Sequence, residues 1–317
     1  MKKMLCTALA LLMMLSLTAF GAADEKVNVF ALKGPTGIGM VGVMENHPET
    51  YTFTLAGAPD EIVAAIASGS ADIAACPTNL AATLYNKTKG NVQLAALNTL
   101  GVLHVVSTDH TIDSIDDLAG RKVYATGQAS VPEYVIRYLL ESAGIADKVD
   151  LEFVAEHSEL ATMMAAGKAE TGILPEPHVT SALMQNDKLK AVIDVTVAFE
   201  EAAKAAGTEM VLSMGCVIVR REFAENHPEK VEDFLDAYSE SVAFVNGDVA
   251  AASELVQKHG VMPKAAVAKR AIPNCHIVFV EGAQMRTQIE PLYGLLHAAN
   301  PASVGGTLPG DDFYYVH

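Results

Sequence analysis

The sequence predicts an α/β protein of two similar, Rossmann-like lobes that are joined by a two-strand hinge and face each other across a cleft. Three observations predict this fold. Short apolar strand patterns alternate with longer helical patterns along the chain. One helix–strand unit occurs twice, and two strand patterns flank the region that holds its second copy. Together they favour a pair of α/β halves over one continuous core.

The first 23 residues have the order of a secretory signal peptide. Two lysines precede the apolar run Met4–Phe20, and the small residues Gly21–Ala23 follow it. The run is shorter than the roughly 20 apolar residues that span a bilayer. We therefore predict cleavage after Gly21 or after Ala23 and a periplasmic or extracellular mature protein; an uncleaved anchor or a buried first helix is the alternative.

Composition and charge restrict the possible partners. The chain has 38 acidic and 22 basic residues and a net charge of −16, which disfavours nucleic acid because a basic surface is needed to displace its counterions. Half of the residues are hydrophobic and 19% are charged, as in a globular chain. The length suits two domains better than one, and a monomer is expected.

Three cysteines remain after the predicted cleavage: Cys76, Cys216 and Cys275. An odd number cannot all pair within one chain, and each lies in an apolar, strand-like context. We interpret them as buried free thiols. No cysteine or histidine spacing is typical of a metal site, so neither a metal nor a cofactor is expected.

The first lobe begins with the predicted strand Val27–Leu32, and Gly34–Gly39 then forms a turn into a helix that ends before His47. Alternating apolar residues predict a strand at Tyr51–Leu55. A helix follows at Pro59–Ala67, with carboxylates in its first turn, where they stabilise the helix dipole. This alternation is typical of parallel strands with crossover helices.

The internal repeat is the most specific pattern. Residues Glu61–Asn79 align without gaps with Glu159–Pro177, at an offset of 98 residues. Each copy has a helix, a glycine in the position that ends a helix, a short strand and a proline that ends the strand. The repeat predicts two similar lobes; convergence on a common helix–strand pattern is the alternative. The aligned pairs are Glu61/Glu159, Gly69/Gly167, Ala71/Ala169, Asp72/Glu170 and Pro77/Pro175.

The second lobe opens with a short helix and turn at 112–122, before the predicted strand Val123–Ala125 and the helix Val131–Ala143. It ends near the strand pattern at Val192–Val195. Another strand pattern, Met210–Val219, leads back to the first lobe.

We therefore assign residues 24–105 and 212–317 to lobe 1 and residues 106–211 to lobe 2. Two strands that cross near Val102–Ser107 and Val211–Val219 would form the hinge. The amphipathic helix Pro228–Val245 then belongs to lobe 1.

Several segments together resemble a type II periplasmic binding protein, in the group similar to nitrate-, sulfonate- and thiamine-precursor-binding proteins. The resemblance implies the extracytoplasmic substrate-binding component of an ABC importer, which passes a small organic solute to a permease and ATPase complex. Relatives often place a tryptophan beside the Glu-Pro turn, and this chain has none, so no relative's substrate is carried over. The matching segments are Val27–Leu32, Gly34–Gly39, Ser68–Ala74, Ile115–Val123, Pro175–Pro177 and Val217–Phe223 with Pro228.

Two other classes of function are open. Enzymes similar to those of thiamine-precursor and menaquinone synthesis share the fold, but export argues against them because their substrates are cytoplasmic. No Gly-x-Ser-x-Gly elbow or His-Glu-x-x-His pair is present. A stand-alone exported ligand sensor is the other alternative, and it would lack neighbouring genes for a permease and an ATPase.

In such a cleft the ligand lies where strands end and helices begin. Glu176 would accept hydrogen bonds from an N–H group of the ligand, although a glutamate in an exposed turn is the alternative. His178 could equally be a packing or solvent-exposed histidine. Lys33 is the sole base on the first loop, and the lack of a basic cluster favours a neutral, zwitterionic or heterocyclic ligand. The candidate residues are Gly34, Thr36, Gly37, Thr78, Asn79, Asn98, Gln128, Ser130, Glu176, His178 and Ser213.

Overall fold

The computed structural model describes residues 25–316, so the predicted signal peptide, 1–23, lies outside the described residues. In this part of the chain the strands are β1 (Val27–Leu32), β2 (Tyr51–Ala56), β3 (Ile73–Pro77), β4 (Val92–Leu100), β5 (Leu103–Ser107), β6 (Lys122–Ala125), β7 (Asp150–Phe153), β8 (Thr171–Pro175), β9 (Lys190–Asp194), β10 (Ser213–Arg220) and β11 (Ile277–Val280).

Helices connect nearly all of these strands, with short 3₁₀ turns between some of them. They are α1 (Pro35–Ile38), α2 (Val41–Asn46), α3 (Pro59–Ser68), α4 (Thr78–Lys87), α5 (Val131–Ser142), α6 (His157–Ala165), α7 (His178–Gln185), α8 (Val195–Ala205), α9 (Arg221–Asn226), α10 (Pro228–Gly247), α11 (Val249–Lys258), α12 (Ala265–Ala271) and α13 (Gly282–Ala299).

The strands form two separate sheets, which confirms the predicted α/β class with two lobes. The six-stranded sheet has the order β11-β4-β10-β3-β1-β2, and the five-stranded sheet has the order β7-β6-β8-β5-β9. We call the parts of the chain built on these sheets lobe 1 and lobe 2.

Both sheets are mixed, whereas the sequence pattern predicted parallel strands. In lobe 1, β10 runs antiparallel to β3 and β4, and in lobe 2, β5 runs antiparallel to β8 and β9. The physical reason is the connectivity: β5 and β10 are the strands on which the chain arrives from the other lobe, so they enter against the direction of the crossover strands.

The chain crosses between the lobes twice. The first crossing is the two-residue link Gly101–Val102 between β4 and β5. A Cβ atom at Gly101 would lie 2.1 Å from Oγ1 of Thr196, so α8 packs directly on this link. The return crossing, 206–212, has no helix or strand, and β10 begins at Ser213 rather than at the predicted Met210.

Both copies of the internal repeat fold as predicted. Gly69 and Gly167 end α3 and α6 with φ values of +73° and +70°, the left-handed region that favours glycine. The strands β3 and β8 follow, and both end at the predicted proline.

Apolar residues fill the space between the sheets and their helices. One core lies under α4, α5, α8 and α13 and includes residues of both lobes, and a second lies under α2, α10 and α11 of lobe 1. The predicted apolar stripe of α10 is buried, and each such side chain contributes about 1.5–3 kcal/mol. No helix among residues 25–316 has the length and apolar character of a membrane span.

Candidate ligand-binding cleft

A cavity of about 410 Å³ lies between the two lobes, and we call it the interlobe cavity. Its volume is in the range of small-molecule sites. Lobe 1 contributes the loop after β1 and the turn between α11 and α12, and lobe 2 contributes α6 and the start of α7. The lining residues are Lys33, Gly34, Ser158, Ala161, Thr162, Pro177, His178, Ser181, Gln185, Val261, Met262, Pro263, Lys264 and Val267.

The loop after β1 brings its backbone to the interlobe cavity. Gly34 has a φ of +100°, and no atom lies within 4 Å of the point where a Cβ would stand. At Gly37 the same test finds the Leu32 carbonyl oxygen at 2.7 Å, so only glycine fits there. The hydroxyl of Thr36 donates to that carbonyl at 3.1 Å and stabilises the turn.

Thr78 and Ser213 meet where β3 ends and β10 begins, and Nδ2 of the following Asn79 donates to the Ser303 carbonyl at 3.5 Å. The Thr78 hydroxyl donates to the Ser213 carbonyl at 2.9 Å, and the Tyr293 hydroxyl donates to the Thr78 carbonyl at 2.9 Å. Oγ of Ser213 and Oδ1 of Asn79 are buried without a hydrogen-bond partner among the described residues. Such groups are unfavourable unless water or a ligand satisfies them.

Asn98 lies near the end of β4, close to the same strand ends. Its Oδ1 accepts a hydrogen bond from the Thr99 hydroxyl at 3.1 Å. The same oxygen would lie 2.6 Å from a Cβ atom at position 215, so Asn98 fits there because that residue is glycine. Its Nδ2 has no partner within hydrogen-bond distance among the described residues. The side chain faces Tyr238; burial raises the pKa of that phenol, and the nearby Asn98 partly opposes the shift.

Glu176 is 3% exposed and directly precedes Pro177 and His178, which line the interlobe cavity. Its carboxylate accepts hydrogen bonds from Thr180 N at 3.1 Å and from Thr180 Oγ1 at 3.0 Å, so it caps α7. Its N–H donates to the Val102 carbonyl of the first crossing, and Nδ2 of Asn274 reaches its Oε1 from lobe 1 at 3.5 Å. Burial raises the pKa of this carboxyl, while the Thr180 hydrogen bonds and His104 lower it in part.

His178 lines the interlobe cavity from lobe 2. Its ring centroid lies 5.4 Å from that of His157, whose Nδ1 is 2.6 Å from the Thr126 hydroxyl. Burial, together with a smaller effect of the neighbouring His157, lowers the pKa of His178 to about 4. The His178 ring is therefore an uncharged part of the cavity lining at neutral pH.

Gln128 and Ser130 lie elsewhere on the lobe interface. Gln128 lines a wider depression of about 870 Å³ between α5 and α13, where Asn300 Nδ2 of lobe 1 donates to the Tyr134 hydroxyl at 3.1 Å. The Ser130 hydroxyl donates to the Gly127 carbonyl of its own turn at 2.7 Å. The structure thus places Gly34 and His178 at one cavity and Gln128 at another.

Sequence reasoning missed the part of the interlobe cavity that comes from the turn between α11 and α12. Val261, Met262 and Lys264 follow Lys33 by more than 200 residues, so only the tertiary structure brings them together. The local signal was modest: Gly260 and Pro263 mark a turn between two helical patterns.

The cysteines are buried free thiols, as predicted for residues 76, 216 and 275. Cys76 and Cys216 are direct neighbours across β3 and β10. Burial raises the pKa values of Cys216 and Cys275 well above the usual range of a thiol. Among the described residues, no three His, Cys, Asp or Glu side chains are placed to hold a metal ion.

Solved structures similar to this chain include an ABC transporter protein from Parabacteroides distasonis, with a TM-score of 0.77 and 21% identity over 92% of this chain and 99% of that one. The periplasmic aliphatic sulphonate binding protein SsuA from Escherichia coli has a TM-score of 0.72 and 15% identity over 92% of each chain. The desulfurization enzyme DSZB has a TM-score of 0.61 and 12% identity, covering 87% of this chain and 93% of the enzyme.

These identities show a shared fold, whose members include both binding proteins and an enzyme. No curated protein matches the chain. The family model described as NMT1/THI5 like matches residues 54–252, which is more than half of the chain and spans strands of both lobes. The chain therefore belongs to the NMT1/THI5-like family.

Proposed function

We propose that this protein is the extracytoplasmic substrate-binding component of an ABC importer and captures a small organic solute between its lobes. The observation that carries the proposal is the interlobe cavity, because residues of both lobes line it. A solute that contacts both lobes binds the closed arrangement more tightly than the open one, and so shifts the population toward closure.

The proposed moving parts keep the predicted bounds, residues 24–105 with 212–317 and residues 106–211, except that all of β5 (Leu103–Ser107) belongs to the sheet of lobe 2. Gly101 and the irregular segment 206–212 are the covalent links between them, and neither lies inside a helix or a strand. Short connections of this kind absorb backbone rotation without breaking a sheet.

The proposed ligand contacts fall into two groups. Gly34 and His178 face the interlobe cavity directly. Asn79, Asn98 and Ser213, which lie near strand ends of lobe 1, each hold a buried polar atom that has no partner within residues 25–316. Contact between the ligand and Glu176 stays a prediction, because both carboxylate oxygens already accept hydrogen bonds from Thr180.

The proposed partner is a permease and ATPase complex at the membrane. Solved structures of similar fold are described as an ABC transporter protein and as a periplasmic binding protein. The signal peptide predicted at 1–23 supports export. Mass determination of the protein recovered from the periplasmic or culture fraction tests this, since cleavage after Gly21 or Ala23 gives two distinct masses, and the intact chain found only in the cytoplasm would exclude it.

The capture proposal is tested with the mature protein purified under gentle conditions. Mass spectrometry identifies any solute that copurifies, and small-angle scattering compares the protein before and after that solute is removed and restored. We expect a smaller radius of gyration and a higher melting temperature with the solute. An unchanged radius at saturating solute would contradict closure of the lobes.

An enzyme is the second candidate, because DSZB shares the fold. Cys216 and Cys275 argue against a thiol nucleophile, because burial raises their pKa values and keeps both thiols protonated at neutral pH. The test incubates the copurified solute with the protein and then analyses the solute again. An enzyme would convert the solute, and a binding protein would leave it unchanged.

A further inference from the structure

We infer that the solute is an amphipathic organic anion, whose charged group lies between Lys33 and Lys264 and whose apolar body packs on the turn between α11 and α12. This inference rests on the proposed function, because it concerns the same interlobe cavity. It revises the sequence-based expectation of a neutral, zwitterionic or heterocyclic ligand, which counted Lys33 as the only nearby base.

The charge of the interlobe cavity is opposite to the charge of the chain. Acidic residues outnumber basic ones by 38 to 22 in the whole sequence. The lining that the described part of the chain provides nevertheless contains Lys33 and Lys264 and no aspartate or glutamate. His178 adds a ring that is neutral at neutral pH. A cationic solute would meet two like charges and no counter-charge in this lining.

Neither lysine has a carboxylate partner among the described residues, in contrast to Lys122 and Lys258, which pair with Glu152 and Glu45 at 2.7 Å and 2.6 Å. Both cavity lysines are exposed. Closing the lobes over a neutral solute would take water from the ammonium groups without compensation, which is unfavourable. An anion supplies the compensation through charge-assisted hydrogen bonds.

The rest of the lining favours an apolar body of limited size. Val261, Met262, Pro263 and Val267 form one wall from lobe 1, and Ala161 and Pro177 of lobe 2 face the same space. Burial of apolar surface on these walls adds affinity that inorganic sulfate or phosphate cannot gain. Ser158, Thr162, Ser181 and Gln185 on α6 and α7 add polar side chains to the lining. The Thr162 hydroxyl already donates to the Ser158 carbonyl at 2.7 Å, and Nε2 of Gln185 donates to the Ser181 carbonyl at 3.0 Å.

The test compares probes with one alkyl body and different head groups: hexanoate, hexane-1-sulfonate, hexanamide and hexylamine, together with inorganic sulfate and phosphate. Binding to the ligand-free mature protein is measured by calorimetry and thermal shift. We expect at least one of the two organic anions to bind at least tenfold more tightly than the amide, with no binding of the amine. The two organic anions distinguish carboxylate from sulfonate head groups.

Variants then locate the charge. Lys33→Gln and Lys264→Gln should each weaken binding of the better anion about tenfold, whereas Lys33→Arg and Lys264→Arg should stay within about threefold. Lys148→Gln, at an exposed position in lobe 2, is the matched control and should bind as the wild type does. Added salt should weaken anion binding, because the lysines are partly solvated.

Several results would overturn the inference. They are an amide that binds as tightly as the acids, a panel in which neither organic anion binds more tightly than the amide, lysine variants that bind unchanged, and inorganic ions that match the organic anions. A copurified neutral or cationic solute that still compacts the protein would refute the anion while leaving lobe closure intact. Failure of every solute to compact the protein would instead refute the proposed function.

Discussion

The two copies of the internal repeat have the same backbone as far as the proline that ends the strand, and different surroundings. In lobe 1, Asp72 is buried and accepts hydrogen bonds from Asn28 N at 2.9 Å and from Arg220 Nη2 at 3.0 Å. The aligned residue of lobe 2, Glu170, is exposed. After the strand, lobe 1 enters its helix at Thr78, whereas lobe 2 passes through Glu176 and a cis Pro177 first.

The difference shows what a duplicated unit preserves. Both copies contain the helix, glycine, strand and proline, because in each lobe the glycine ends the helix and the proline ends the strand. The side chains beyond the proline differ because they contact different neighbours. In lobe 1 the Thr78 hydroxyl donates to the Ser213 carbonyl, and in lobe 2 the Glu176 carboxylate caps its helix.

The largest expected effect separates the paired acid from the exposed one. Asp72→Ala should lower the free energy of unfolding by about 2–4 kcal/mol, because the Asn28 N–H and Nη2 of Arg220 lose their acceptor, while Nη1 of Arg220 keeps its bond to Glu222. Glu170→Ala should change it by less than about 0.5 kcal/mol. Urea unfolding of both variants measures the contrast, and equal losses would show that the two acids have equivalent roles.

The second contrast concerns the stability of the fold at acidic pH. His178 can bind a proton, whereas the aligned residue of lobe 1, Leu80, cannot. Because the pKa of His178 is lowered from 6.5 to about 4, the unfolded chain binds a proton first as the pH falls. This contribution to stability is present above pH 6.5 and is lost as the pH falls toward 4, by at most about 3 kcal/mol.

His178→Gln should therefore reduce the loss of stability between pH 7 and pH 4.5. The pKa of His157 is lowered by burial as well, so part of the loss should remain in the variant. Urea unfolding at the two pH values measures it. If the variant and the wild type lost the same stability, the protonation of His178 would play no part.

The third contrast compares the first residue after the proline in each copy. Glu176→Ala should cost about 1–2 kcal/mol, because α7 loses its capping acceptor. Thr78→Val should cost about 1 kcal/mol through the lost bond to the Ser213 carbonyl. Chemical denaturation gives both values.

The dissociation constant of the copurified solute gives a second readout for Glu176→Ala. A rise of more than tenfold would establish the predicted ligand contact of Glu176. A constant within about threefold of the wild type would leave this side chain with its structural role alone.

The smallest contrast tests the equivalence of the two glycines. Gly69→Ala and Gly167→Ala should each destabilise the protein by about 1 kcal/mol, since both glycines have positive φ and no neighbour within 4 Å of a Cβ. Thermal unfolding should give values that agree within about 0.5 kcal/mol. A large cost at only one site would mean that the copies differ in backbone strain.

The amino-acid sequence was enough to predict the alternation of strands and helices, the repeat and the two-lobed fold. Gly69, Gly167 and the prolines that end β3 and β8 act through local backbone geometry, which does not depend on distant residues. The family resemblance had the same origin, because its motifs are short segments in a fixed order.

Tertiary structure alone decided how the candidate residues are grouped. Lys264 joins Lys33 only because the α11–α12 turn packs on the segment after β1, where Val261 lies close to Gly37. Glu176 became a helix cap because Thr180 lies within reach of its carboxylate. Sequence patterns report which face of an element is apolar, but they carry no distance between elements that are far apart in the chain. The charge of the interlobe cavity is a sum over such distant residues, so it could be known only from the folded protein.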